Sequence, residues 1–227
     1  MHRLPIRLGA ATLAVITALS PAHAQMAMMH GHNPNAALHL EMTPGRAATA
    51  ADSARADSII SALRPALEPY RDVGRAIADG YRVFLPQVPQ QVYHFTSWRR
   101  SILSAFHFDP TRPGTLLYRR TVGGGWELAG AMYSAPGRTS LASLDSRVPL
   151  GVAHWHRHVN WCLPPRGERR RWKETRSGAP LFGPLSPIAT RQACEAVGGV
   201  FHPALFGWMV HVDPYAPSPS ARWGEGH

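Results

Sequence analysis

Between Asp52 and Gly80 apolar residues recur every three to four positions, with Ile59, Leu63, Leu67 and Tyr70 on one stripe. That period predicts a helix whose apolar side packs against another element. Asp52 or Ser53 supplies a side-chain oxygen for its N-terminus. Pro65 is expected to break or kink it. A second helix is predicted from about Pro69 to Gly80, with Val73, Ala76 and Ile77 facing inward. Tyr81 to Tyr93 reads as a loop rich in Pro and Gln. Thr96 or Ser97 then caps a short helix carrying Trp98, Ile102, Leu103 and Phe106, with His94 just before the cap and His107 near the end.

Beyond the turn cluster Asp109–Gly114 the period changes to two. Residues 115–119 and 126–134 read as a hairpin closed by Val122-Gly-Gly-Gly125. A short helix is expected over 139–146. Residues 151–162 then read as a strand in which His154, His156, His158, Asn160 and Cys162 share one face. Ala153, Trp155, Arg157, Val159 and Trp161 take the other. The segment 163–187 is a basic loop around Arg166–Lys173. Thr190 caps a helix from Arg191 to Val197, stopped by Gly198-Gly199. Residues 207–213 form a last strand, with Trp208, Val210 and Val212 on one face and Met209, His211 and Asp213 on the other.

The fold class that follows is α+β: an antiparallel sheet of about four strands (115–119, 126–134, 151–162, 207–213) with the N-terminal helices on one face. On the other face a histidine-lined pocket is expected, closed by the 163–187 loop. The flanks are read as separate segments. Arg3 and Arg7, the apolar run Leu8–Leu19 and the small-x-small site Ala22-His-Ala24 predict a signal peptide over residues 1–24. Residues 25–50 are read as a flexible tail, 51–215 as the domain, and 216–227 as a loose end. The apolar run is too short for a typical bilayer span, and no later segment qualifies. The expected destination is the periplasm or the exterior.

Composition adds three constraints. Hydrophobic residues make up 44% of the 227-residue chain and charged residues 17%, so a packed core is expected and global disorder is not. The net charge of +10 (24 cations minus 14 anions) falls to +8 when Arg3 and Arg7 are removed. Lys173 is the sole lysine, and no nucleic-acid motif accompanies the basic loop, so specific nucleic-acid binding is not expected. Export permits a disulfide between the two cysteines, Cys162 and Cys194. The competing role for Cys162, a thiolate ligand sharing the face of the histidines, is the lesser reading in an oxidising compartment.

If strands 151–162 and 207–213 are antiparallel neighbours with their tryptophans on one side, His154, His156, His158 and His211 gather on the other. Histidines at i and i+2, completed from a neighbouring strand, suit a mononuclear copper or zinc site. The expected ligands are, in order, His156, His158 and His211, then His94, then His154. Glu127, Tyr133 and Asp213 are oxygen donors of suitable type. Met26, Met28, Met29, His30 and His32 are also ligand types for copper, in a short tract where chance composition is the simpler account.

The segments Ala78-Asp-Gly-Tyr81, Tyr93-His-Phe, Leu116-Leu-Tyr118, Ala129-Gly-Ala-Met-Tyr133, Trp155-His-Arg-His-Val-Asn160 and Phe206-Gly-Trp-Met-Val-His211 resemble a family of uncharacterised exported bacterial proteins. The resemblance covers roughly residues 66–213. It implies an order of segments and no reaction. Hydrolase, zincin, nucleotide-loop and haem-attachment motifs are not present in the sequence.

Two functional classes follow. One is an exported metal-binding protein with a copper or zinc site, extending to an enzyme acting on water or dioxygen if a coordination position stays open. The other is a metal-free module that stacks sugars or other planar ligands on Trp98, Trp155, Trp161, Trp172 and Trp208. Metal-free hydrolysis with a histidine base lacks a convincing nucleophile.

Overall fold

The computed structural model describes residues 35–86 and 90–224. The signal-peptide segment and the Met26–His32 tract lie outside the described residues. The fold is α+β, and its sheet is larger than expected. The strands are β1 (Leu40–Met42), β2 (Arg82–Val83), β3 (Tyr93–Thr96), β4 (Thr115–Arg120), β5 (Trp126–Ala135), β6 (His156–Leu163), β7 (Thr175–Arg176), β8 (Ala179–Pro180) and β9 (Val200–Val212). Seven of them form one antiparallel sheet in the order β1-β6-β9-β5-β4-β3-β2, and β7 and β8 pair separately. The three additional strands of the main sheet are two to four residues long, too short to print a period on the sequence.

The helices are α1 (Ala50–Leu67), α2 (Val73–Ala78), α3 (Trp98–Phe106), α4 (Leu141–Arg147), α5 (Arg191–Ala196) and α6 (Pro219–Arg222). Thr49, rather than Asp52 or Ser53, caps α1, in a capping box with Asp52. Pro65 does not break α1, which continues to Leu67. The last turn is held instead by Leu63 and Leu67, both fully buried. Burial of each such side chain contributes about 1.5–3 kcal/mol, comparable with the roughly 3 kcal/mol that an interior proline costs. After α1 comes a 3₁₀ turn, Glu68–Arg71, and α2 is shorter than expected, capped by Asp72. Ala76 is buried, whereas Ile77 is exposed. Thr190 caps α5 as expected.

One face of the sheet carries the main core. Phe95, Leu116, Tyr118, Leu128, Ala131, Tyr133, Trp155, Trp208, Val210 and Val212 pack there with Ile59, Ile60, Leu63 and Leu67 of α1. β6, which follows Trp155 directly, and β9, which bears Trp208, are antiparallel neighbours, and both tryptophans belong to this core. Tyr118 donates to the carbonyl of Tyr70 at 2.6 Å and Tyr81 to that of Pro113 at 2.7 Å. Burial pushes both phenols well above their usual range, so they act as neutral donors.

Both flanks depart from expectation. Residues 36–49 belong to the fold: β1 pairs with β6, and Glu41 receives two hydrogen bonds from Arg157, whose guanidinium also lies over Trp208. The buried His39 donates from Nε2 to the carbonyl of Ser186 at 2.7 Å. At the other end α6 docks, with Trp223 buried. These segments are held by a three-residue strand pairing and by single side chains, which leave no periodic signal.

Cys162 and Cys194 form the expected disulfide. It sits with Phe182 and Ile188 in a separate small core, against which Trp172, Leu181 and Phe201 pack. The 163–187 loop therefore folds around the disulfide. Among the described residues no helix is long and apolar enough to cross a membrane.

The disulfide spans 32 residues, for which the chain-entropy relation gives about 3–4 kcal/mol. The Cys162→Ser/Cys194→Ser protein should lose that amount in urea unfolding. Separately, Arg46 beside Asp52, with added hydrogen bonds from Thr49, holds the Asp52 carboxyl well below the usual range. A depressed carboxyl contributes stability that is present above its unfolded value and is lost as pH falls through the folded one. Stability should therefore decline below about pH 4, and Asp52→Asn should flatten that decline, as read from urea midpoints across the acid range.

Candidate functional site

β3, β9 and β6 each present histidine on the face opposite the main core. In β3, Phe95 enters the core, while His94 and Thr96 point to the other side; Thr96 and Thr115 are hydrogen-bonded through their hydroxyls at 3.1 Å. His94 therefore lies within a strand, not in a loop before a helix cap. In β9, Trp208, Val210 and Val212 enter the core, leaving Met209 and His211 opposite. His156 is the first residue of β6 and pairs with Met209 of β9 and Met42 of β1.

His94 and His211 stand on strands separated by β5 and β4. In a flat sheet, three steps of about 4.8 Å place them roughly 14 Å apart. Their Nε2 atoms are 3.3 Å apart. The sheet must therefore curl, with the histidine face concave. A second contact closes the same span: Phe84, beside β2, packs edge-to-face on Phe206 of β9 at 5.5 Å between ring centres. The floor of the concavity is apolar, formed by Val92, Leu117, Ala129, Met132 and Met209.

The curl has a local cause. The β4–β5 register shifts at Leu117/Tyr118, a bulge that bends the strand and increases its twist. Gly130 lies at this point with positive φ, and a Cβ there would overlap the carbonyl oxygen of Val212. At Gly207 a Cβ would overlap the carbonyl oxygen of Ala135. Both glycines let β5 and β9 approach closely, which brings His211 opposite Met132.

Gln90 orients His94. Its Nε2 donates to the carbonyls of Phe84 at 2.9 Å and Leu85 at 3.3 Å, leaving Oε1 to accept from His94 Nδ1–H at 3.2 Å. Nδ1 therefore holds the proton, and in the neutral ring the Nε2 lone pair faces His211. Metal-binding imidazoles are commonly held in this way by a hydrogen bond at the distal nitrogen. Tetrahedral ligands about 2.0–2.1 Å from a zinc ion stand roughly 3.3–3.4 Å from each other, and the His94–His211 spacing matches that edge.

The other predicted residues take different places. The His156 ring packs edge-on against His211, with centroids 5.0 Å apart, and is buried; His158 packs on His156 at 5.6 Å. His154 precedes β6, and its ring lies over Gly45, with Nδ1 3.4 Å from the Thr43 carbonyl. Asn160 adopts positive φ, which interrupts the alternation of β6. Trp161 consequently turns its ring to His158, at 4.9 Å, instead of occupying the opposite face. The β5 bulge similarly separates Glu127 from Tyr133. Tyr133 is in the main core and donates to the Pro110 carbonyl at 2.8 Å. Glu127 pairs with Arg119 across the strands. Asp213 accepts from the backbone of Tyr215 and Ala216 and closes a turn. Among the described residues, no three or more side chains of His, Cys, Asp and Glu are grouped so as to hold a metal ion.

Of the five tryptophans considered for stacking, Trp155, Trp161 and Trp208 are buried, Trp172 is half-buried, and Trp98 is 60% exposed. Trp98 opens α3, whose Ile102, Leu103 and Phe106 are likewise exposed. Trp98 touches Phe84 at the rim of the concavity.

The residues missed by sequence reading are Gln90, Met42 and Met132. Met42 and Met132 were visible only through register, and Gln90 only through the turn that returns it to His94. Comparison of the chain with protein-family models, with curated proteins and with solved structures found no match.

Gly130→Ala should destabilise the protein by more than about 1 kcal/mol, because the added methyl meets backbone on a neighbouring strand. Chemical-shift changes should concentrate at His94 and His211; an unchanged thermal midpoint would show that the close approach is not needed.

Proposed function

We propose that this is an exported metal-binding protein with a mononuclear copper or zinc site held by His94 and His211. His156 is the next donor and His158 lies behind it. The observation that supports this reading most directly is the 3.3 Å separation of the two Nε2 atoms, with the His94 tautomer set by Gln90. A buried imidazole, His211, beside the half-buried His94 on an apolar floor is also a setting in which water competes less for a bound ion. The signal-peptide pattern at residues 1–24 and the Cys162–Cys194 disulfide support export. His154 is not part of the proposed ligand set.

The site serves as a binding site in this reading. An open coordination position occupied by exchangeable water would extend it to an enzyme acting on water or dioxygen. Apolar surroundings and an imidazole oriented by Gln90 are the reasons for placing binding first.

The test is elemental analysis of the untagged mature protein after exposure to copper or zinc. About one ion per chain is expected, retained in His154→Ala and lost in His94→Ala and His211→Ala, each of which should keep its circular dichroism spectrum. Absence of uptake by the wild-type chain, or equal retention in all three variants, would overturn the assignment to this pair.

A further inference from the structure

The chain has seven methionines, and the three within the described residues are Met42, Met132 and Met209. Each is the direct cross-strand partner of a histidine. Met42 and Met209 flank His156 on its two neighbouring strands, and Met132 is opposite His211. Directly opposed residues share a face, with Cβ atoms about 4.5–5.5 Å apart. Met209 also stands two positions from His211 on β9, on the same face. Met132 and Met209 are buried in the same cluster at the floor of the concavity.

The main core, by contrast, contains no methionine among its buried residues: it is built from Leu, Ile, Val, Ala and aromatic side chains. Gap-filling alone would not direct every methionine in the described residues to positions opposite histidine, since methionine suits irregular space wherever it occurs. One pair of histidine nitrogens, His94 Nε2 and His211 Nε2, stands at ligand spacing. Among the described residues no carboxylate or thiolate is grouped with them as a third ligand; Asp213 closes a turn and Cys162 is in the disulfide. Beside the His156 imidazole, the donors at the floor of the site are the thioethers of Met132 and Met209. Thioethers are soft, select cuprous copper and are poor ligands for zinc.

Resting on the metal-site reading above, we propose that the site is selective for cuprous copper, bound by His94 and His211 through Nε2 and by the sulfur of Met209 or Met132. Binding involves no change of oxidation state. Two imidazoles and a thioether provide neutral ligands, so the bound ion keeps a single positive charge, which an apolar floor tolerates better than the two charges of zinc.

The experiment is anaerobic competition between the mature full-length chain and the cuprous chelator bicinchoninate, with a parallel titration by zinc. Met26→Leu, Met28→Leu, Met29→Leu, His30→Ala and His32→Ala are present throughout, so that the N-terminal thioethers and imidazoles do not contribute. Met132→Leu, Met209→Leu and the double variant are compared with this background; leucine preserves volume and apolarity. The expected result is one cuprous ion per chain. The double variant should weaken its binding by at least about tenfold, the scale at which even partners one step removed from a metal change affinity. Zinc binding should be weaker and unaffected by the substitutions. Sulfur scattering in the copper X-ray absorption spectrum should be present in the background protein and lost in the double variant. Cuprous binding unchanged by the double substitution, or zinc bound as tightly as copper, would overturn the thioether assignment and leave the histidine site standing. Failure of both ions to bind would overturn the metal reading itself.

Discussion

The concave curl of the main sheet is the constraint on which the other features depend. Two strands lie between β3 and β9, and the imidazoles of His94 and His211 nevertheless touch. Hydrogen-bonded strands cannot be compressed sideways, so the contact requires bending. The bend is permitted where side chains are missing: Gly130 accepts the Val212 carbonyl, and Gly207 accepts that of Ala135. The β4–β5 bulge supplies the local twist. Phe84 and Phe206 repeat the closure one step further along.

Bending gives the two faces different chemistry. The convex face is broad and is covered by α1 with large, shape-defined residues. The concave face has less room, and its floor is made of small or adaptable side chains: Ala129, Leu117, Met132 and Met209. Polar rings are brought together over that floor and are shielded from water by the same curvature. A cluster of imidazoles in such a place would be unfavourable if each ring lacked an orienting contact. His94 has one in Gln90, whose own amide is fixed by two backbone carbonyls. The disulfide-bonded lobe is a separate unit of packing, and it holds the distal halves of β6 and β9 together.

Much of the secondary structure was legible. The period of two in and just before β6 and in β9 placed Trp155 and Trp208 in one core and His156 and His211 on the opposite face. The Thr190 cap, the hairpin and the cysteine pair could also be read locally. Errors arose where one residue altered the alternation. Asn160, with positive φ, sends Trp161 to His158. The bulge beside Gly130 puts Glu127 and Tyr133 on different faces. Pro65 remained helical because the buried leucines around it outweigh the local penalty. The shortest strands, including the one that carries His94, are below the length at which a period can be seen.

Local sequence thus determined which residues alternate, which positions cap helices, and which two cysteines are available to pair, because these depend on neighbours within a few residues. Tertiary structure decided which histidines meet. His158 is two positions from His156 and His154 is two positions before it, yet the pair whose Nε2 atoms stand 3.3 Å apart joins His94 and His211, 117 residues apart. Sheet order, register and curvature set that pairing, and they are sums of contacts among all the strands. The same holds for Met42, Met132 and Met209, whose relation to the histidines exists in the cross-strand register and nowhere along the chain.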